Sequence, residues 1–198
     1  MKGAKEMNII FDLGGVILPG KAKDILDKLN LKEEEYNELV GFFDNWDEMD
    51  ITDTSIEEKF NSYNFSYNIK NKYKDKLLKY YELRDYNNKL INLIKDLKNN
   101  NNRVYILSDN NKDASLYYKS VLKDLDGYVF SYEYKTIKKE GKLFDILLEK
   151  YSLDPSTCYF IDDTKENIEV ANSKGINGIL YENNDEEIIN YFKERGII

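Results

Sequence analysis

Asp12, the pair Ser108 and Asp109, Ser131, and the pair Asp162 and Asp163 each stand at the end of a short apolar run. If those runs are neighbouring parallel strands, groups just beyond their carboxyl ends converge on one crevice, where the strand order of an open sheet reverses. Carboxylates crowded together there repel one another and take up protons unless a cation sits among them. An oxygen-only donor set selects a hard cation, and Mg²⁺ held by a few carboxylates, water and a substrate phosphate fits it best. Taken singly, each of these residues also reads as a helix cap, because Asp readily accepts the first free amides of a helix. The set together points to a shared site.

The residue types that are missing narrow the chemistry further. The chain has no histidine, which removes Ser-His-Asp and Cys-His nucleophilic schemes and histidine zinc sites together. Its one cysteine, Cys158, cannot form an internal disulfide, and it opens an apolar run where a thiol packs as a small hydrophobe. The net charge of −8, from 29 Lys and Arg against 37 Asp and Glu, opposes binding to nucleic acid phosphates or an anionic membrane surface. No stretch approaches the roughly 18 apolar residues of a membrane span. Lys2 and Lys5 are followed by no apolar run of signal-peptide length, so the expected location is cytoplasmic.

The elements that must position these groups follow from the patterning. The 198 residues are 41% hydrophobic and include 17 Tyr and 9 Phe, enough apolar surface for one core with a modest insertion. Buried strands are predicted at Asn8 to Phe11, Arg103 to Leu107, Gly127 to Phe130, Cys158 to Ile161 and Gly178 to Tyr181. Between the last four lie helical spacings: Leu116, Val121 and Leu122; then Leu143, Ile146, Leu147 and Tyr151; then Ile168, Val170 and Ala171. Strands alternating with helices predict a layered α/β architecture with a parallel sheet.

Roughly ninety residues separate the first two strands, far more than one crossover helix needs. Their patterning is helical throughout: Ala22, Ile25, Leu26 and Leu29; Tyr36, Leu39, Val40 and Phe43; Ile56 to Phe60; Leu77, Leu78 and Tyr81. Ser55 with Glu58 three residues on reads as a capping box. Leu90 to Leu97 then forms the crossover helix, and Asn99 to Asn102 reads as a solvated loop. The expectation is an α/β core with a small all-helical cap inserted after the first strand. Tyr63, Tyr67, Tyr73, Tyr80 and Tyr81 read as packing residues of that cap, with stacking on a sugar or base as the alternative. Gly14 and Gly15 form a Cβ-free turn whose amides can approach a bound anion.

Three stretches carry a family likeness. Phe11-Asp12-Leu13-Gly14-Gly15-Val16-Ile17, Ile106-Leu107-Ser108-Asp109-Asn110 and Tyr159-Phe160-Ile161-Asp162-Asp163-Thr164-Lys165-Glu166-Asn167 resemble the first, second and fourth motifs of the haloacid dehalogenase-like (HAD) hydrolase superfamily. Trp46-Asp47-Glu48-Met49-Asp50, followed by Ser55 to Phe60, is similar to the helical cap of members that insert it between the first two motifs. The resemblance covers nearly the whole chain. It implies a Rossmann-like core of residues 1–17 and 84–198, a parallel sheet with helices on both faces, and a cap of residues 18–83.

What the resemblance implies chemically is a Mg²⁺-dependent phosphatase acting on a small phosphorylated metabolite. Asp12 would attack phosphorus to form an aspartyl-phosphate. Mg²⁺ would be held by Asp12, the Gly14 carbonyl and Asp163, with Asp162 and Asn167 direct or through water. Ser108 would hydrogen-bond a phosphoryl oxygen, with Gly14, Gly15 and Asp109 also lining the phosphate site. A lysine of the third motif would add a full charge and keep Asp12 ionised. Counting back from Phe144 puts Lys138 in that role and Lys139 where relatives carry proline; Lys139 and Lys135 remain open.

One position departs from the pattern. Phosphatases of this superfamily usually carry a second aspartate two residues after the nucleophile, as general acid and then base, and here that position is Gly14. Such a group is worth about 10²–10⁴-fold in rate. Its loss leaves three outcomes: substrates with good leaving groups such as acyl or anomeric phosphates, a substitute carboxylate from the cap such as Asp47 or Asp50, or vestigial activity. It also keeps open carbon–halogen hydrolysis, whose leaving halide needs no proton, and a non-catalytic HAD-like binding or regulatory protein.

Overall fold

In the computed structural model, which describes residues 6–198, five parallel strands form one sheet; Lys2 and Lys5 lie outside the described residues. The strands are β1 (Asn8–Phe11), β2 (Arg103–Ser108), β3 (Gly127–Phe130), β4 (Cys158–Asp162) and β5 (Asn177–Leu180), in the order β3-β2-β1-β4-β5. β2 and β4 each run one residue beyond the apolar pattern, because Ser108 pairs with Phe130 and Asp162 with Leu180. β5 begins and ends one residue earlier than its apolar pattern. The chain travels from β1 out to β3 on one side and returns to β4 on the other, so the order reverses at β1, just ahead of Asp12.

Alternation along the strands builds two cores. Ile9, Phe11, Val104, Ile106, Phe130 and Ile161 face one layer with α4 (Asn88–Asn99), α5 (Lys112–Val121) and α9 (Asp185–Glu194). Ile10, Tyr105, Leu107, Val129 and Phe160 face the other with α7 (Lys142–Tyr151) and α8 (Lys165–Ser173). The sheet is therefore covered on both faces, as central parallel strands require. Two expectations need correction. Leu116 and Val121 are exposed, and α5 turns Ala114, Ser115 and Tyr118 inward instead. Asn102 is buried rather than solvated: its amide donates to the Leu97 and Ile197 carbonyls and its oxygen accepts the Met7 amide, tying the start of β1 to the chain's end.

Between β1 and α4 the chain is all helical. 3₁₀ stretches at Ala22–Lys28, Gly41–Phe43, Trp46–Ile51 and Tyr80–Leu83 are interspersed with α1 (Glu33–Val40), α2 (Ile56–Ser62) and α3 (Tyr67–Leu78). The Ser55 capping box forms, with Glu58 N donating to Ser55 Oγ at 3.1 Å and Ser55 N to Glu58 Oε2 at 2.7 Å. Phe42 anchors this insertion, packing edge-on against Phe43, Trp46, Phe60 and Tyr63. Tyr73 and Tyr80 are buried in it, whereas Tyr67 is exposed. Its apolar side chains join the β1–α4 layer in one continuous core. No helix among the described residues is long and apolar enough to cross a membrane.

Candidate active site

The end of β1 sets the site. Asp12 N donates to the Ile161 carbonyl at 2.9 Å, extending the ladder by one bond and fixing the carboxylate at the sheet's edge. The chain then turns: Leu18 N returns to the Leu13 carbonyl at 2.7 Å and Gly15 N to the Leu18 carbonyl at 2.9 Å. The Gly15 amide is thus engaged within the turn, and what demands glycine there is steric. Gly15 has φ +73°, and a Cβ would stand 2.0 Å from Asp163 Oδ2. Gly14 differs: it is exposed, its φ lies outside the left-handed region, and a Cβ there would meet nothing within 4 Å. Arg84 braces the following loop, donating to the Leu18, Pro19 and Gly20 carbonyls.

Lys138 closes the site from below. It lies in a 3₁₀ turn, Lys138–Glu140, whose first amide donates to Asp109 Oδ1 at 3.0 Å. Its Nζ sits 2.8 Å from Asp12 Oδ2 and 2.6 Å from Asp162 Oδ2, fully out of solvent. Lys139 is exposed, and Lys135 pairs with Asp53 at 2.7 Å, so neither reaches these carboxylates. Asp162 is saturated: besides Lys138 it accepts Asn167 Nδ2 on both oxygens at 3.1 Å and the Thr164 amide at 2.8 Å. The Asn167 amide nitrogen thereby holds Asp162 in place.

These contacts set the charges. Burial by itself would lower the Lys138 pKa, but Asp12, Asp162 and Asp109 outweigh it and hold the ammonium well above its usual range. Burial pushes Asp12 up to about 7 although Lys138 pulls it down. Asp109 and Asp163 are also raised, in both cases chiefly by burial. Carboxylate oxygens of Asp12, Asp162 and Asp163 all lie within 4.8 Å of one another. Three hard oxygen donors so close, only one of them saturated by protein donors, fit a divalent cation such as Mg²⁺.

Ser108 is buried at the end of β2, and Ser131, at the end of β3, accepts the Asn110 amide at 2.9 Å and shapes the loop beyond it. Above these groups opens a cavity of about 810 Å³ that Asp12, Gly14, Ser108, Asp109 and Lys138 line from the sheet and Trp46, Asp47, Asp50 and Tyr80 from the insertion. Cys158 lies apart from it, buried, with burial pushing its thiol up to about 11, so it packs rather than reacts. Sequence reasoning missed two structural partners, Thr164 and Arg84, because main-chain contacts leave no residue-type signal.

A parallel five-stranded sheet with this nest at its reversal point is that of a HAD-like hydrolase, and the family comparison agrees. The haloacid dehalogenase-like hydrolase model matches residues 7–175, and the chain belongs to that family. No curated protein matches the sequence. Among solved structures, a predicted HAD-like family hydrolase from Porphyromonas gingivalis is similar at 17% identity and TM-score 0.68, covering 97% of this chain and 98% of its own. A HAD family enzyme from Bacteroides thetaiotaomicron, in complex with magnesium and inorganic phosphate, is 20% identical at TM-score 0.62, covering 90% of this chain and 95% of its own. A dehalogenase is 14% identical at TM-score 0.66, covering 90% of this chain and 85% of its own. At these identities the likeness is one of fold.

Proposed function

We propose that this hydrolase is a Mg²⁺-dependent phosphatase that cleaves a small organic phosphate through an aspartyl-phosphate on Asp12. The observation that carries the reading is Lys138, a buried ammonium between Asp12 and Asp162 in the cavity that Ser108 also lines. A fixed cation at that place has a use in phosphoryl transfer, where charge collects on the equatorial oxygens. Asp12, Asp163 and the Gly14 carbonyl are the groups that would hold Mg²⁺, with the Asn167 side-chain oxygen facing the same cavity; Asp162, whose oxygens accept from Lys138, Asn167 and the Thr164 amide, would orient the nest around it. The ion, when bound, neutralises charge on the transferring group and favours the ionised form of Asp12.

The chain's own groups do the rest. Asp12, held by the Leu13 amide at 2.7 Å on one oxygen and by Lys138 on the other, is oriented for in-line attack. Ser108 and Lys138 bind phosphoryl oxygens, and the insertion, read as a cap of residues 18–83 over a core of 1–17 and 84–198, shields the crevice from water. The Bacteroides relative's complex with magnesium and phosphate supports the same chemistry. Replacing Asp12 by Asn should lower turnover of an aryl phosphate by on the order of 10⁴-fold or more, as loss of a nucleophile does. EDTA should do the same to the unaltered protein. Full activity in Asp12→Asn would sink the mechanism.

Gly14 favours one other reading, carbon–halogen hydrolysis on the same Asp12, since a halide leaves without a proton. It predicts halide release from a 2-haloacid that persists in EDTA, and the clustered carboxylates speak against it.

A further inference from the structure

Cleavage of an alkyl phosphate needs a proton for the leaving oxygen, and the position two residues after Asp12, where the resemblance puts its donor, is Gly14. Gly14 opens on the cavity, and the space around it is empty to 4 Å. The insertion faces that gap with the 3₁₀ stretch Trp46–Ile51, which packs on the short helix α6 (Ser131–Tyr134) directly after β3. Met49 is buried beneath it, and Trp46 is locked against Phe43 and Tyr80 at ring distances of 4.9 and 5.0 Å. In a 3₁₀ helix residues three apart fall on one side. Asp47 and Asp50 accordingly both line the cavity that holds Asp12, Gly14 and Lys138.

The two carboxyls differ. Asp47 is exposed, while Asp50 is half-buried and, among the described residues, has neither a hydrogen bond nor an ion pair. A carboxyl withdrawn from water without a donor favours its neutral form. Asp50 is pushed up to about 8, by burial first and then by the carboxylates of Asp109 and Asp47; Lys138 pulls the other way, Asp12 adds to the rise, and Tyr80 also faces it. It can therefore keep a proton at neutral pH beside ionised groups.

We propose that Asp50 is the general acid and base of this site, supplied by the insertion in place of the side chain that Gly14 lacks. The proposal rests on the phosphatase reading. In the first half-reaction an Asp12 oxygen bonds to phosphorus as the bond to the leaving oxygen breaks; the Asp50 proton passes to that oxygen, which departs as the alcohol. In the second, a water oxygen bonds to phosphorus as the bond to Asp12 breaks. The water's proton returns to Asp50, and inorganic phosphate is released.

The test is kcat/KM with Mg²⁺ over phosphate monoesters running from nitrophenyl to simple alkyl leaving groups. The unmodified protein should give a nearly flat series. Asp50→Asn should lose about 10²–10⁴-fold on alkyl esters and little on nitrophenyl phosphate, with a burst of nitrophenolate because the second half-reaction now lacks its base. Adding Gly14→Asp to Asp50→Asn should restore alkyl-ester turnover, since a side chain fits at Gly14. A steep series in the unmodified protein overturns the assignment, as does a uniform or absent loss in Asp50→Asn, or steepening from Asp47→Asn alone. A protein inert toward the whole series overturns the phosphatase reading itself, and this role with it.

Discussion

The strand-end nest and the edge of the insertion that faces it bury carboxylates in opposite ways. In the nest, Asp162 accepts from Lys138, Asn167 and the Thr164 amide, and Asp12 from Lys138 and the Leu13 amide. On the insertion's edge, Asp50 is drawn out of water with no donor at all. The difference follows from how each group arrives. Strand ends bring main-chain amides and neighbouring loops with them, so a charge placed there finds partners. A carboxyl brought across the cavity by a separate helical segment finds neighbouring carboxylates and no donor, and Lys138 only partly offsets the resulting rise in its pKa. One region gives its carboxylates donors, and the other leaves one without any.

The sharpest way to break the contrast is to make the nest resemble the edge. Lys138→Met would leave Asp12 and Asp162 buried without their cation. Removing one partner of a buried ion pair costs about 3–5 kcal/mol, partly relieved here by protonation of Asp12. The metal-free variant should therefore melt well below the parent, at about 2–4 °C per kcal/mol for a chain of this size. A thermal scan that shows no shift would mean that Lys138 does not compensate the nest, and the comparison would fail.

A smaller effect separates the two glycines of the turn. Gly15→Ala must place a Cβ 2.0 Å from Asp163 Oδ2 in a backbone at φ +73°, and the left-handed conformation alone costs a non-glycine residue about 1–2 kcal/mol. Gly14→Ala meets nothing within 4 Å and should be nearly neutral. Differential scanning of the two variants, with Mg²⁺ titrated by calorimetry, should show Gly15→Ala both less stable and weaker in metal binding, because its Cβ displaces Asp163. Equal stability would mean that the loop shifts freely, and that its glycines carry no constraint.

How much of this was legible in the sequence follows the same division. The five strands could be read because apolar runs of four or five residues end in polar punctuation, Asp or Ser after the first four, and the strand ends then placed Asp12, Ser108, Asp109, Asp162 and Asp163 together. Lys138 was harder, because a lysine in a loop looks solvated until its neighbours bury it. The inward face of α5 was misread, since Tyr118 with the small residues Ala114 and Ser115 turns inward while the apolar Leu116 and Val121 point to solvent. Asn102 shows the converse, a polar residue whose buried bonds reach Met7 and Ile197 far along the chain. For the insertion, helical spacing gave the segments but not their 3₁₀ geometry or which of Asp47 and Asp50 would be withdrawn from water. That depends on docking against α6 and Tyr80, which no local pattern encodes.

The smallest effect concerns what holds the insertion over the nest. Asp113, in the first turn of α5, accepts the Ile56 amide at 2.6 Å. Ile56 is the first residue of α2, where amides have no partner within the helix. Ser55 Oγ takes the Glu58 amide of that turn, and Asp113 takes the Ile56 amide from across the interface, with its negative charge at the positive end of the α2 dipole. Asp53 and Lys135 also bridge the two regions at 2.7 Å, but both side chains are exposed, and ion pairs in water contribute little. Asp113→Ala strands a half-buried N–H and should cost about 1–2 kcal/mol; Asp113→Asn, which keeps an acceptor and loses the charge, should fall between it and the parent. Asp53→Asn should leave the melting temperature unchanged. Limited proteolysis read alongside the melts should show cleavage within residues 18–83 accelerating in Asp113→Ala before the sheet unfolds. If Asp53→Asn loosened that region as much as Asp113→Ala did, the solvated pair would be holding the insertion, and the claim that partnered, partly buried charges organise this fold while exposed ones do not would fail at its margin.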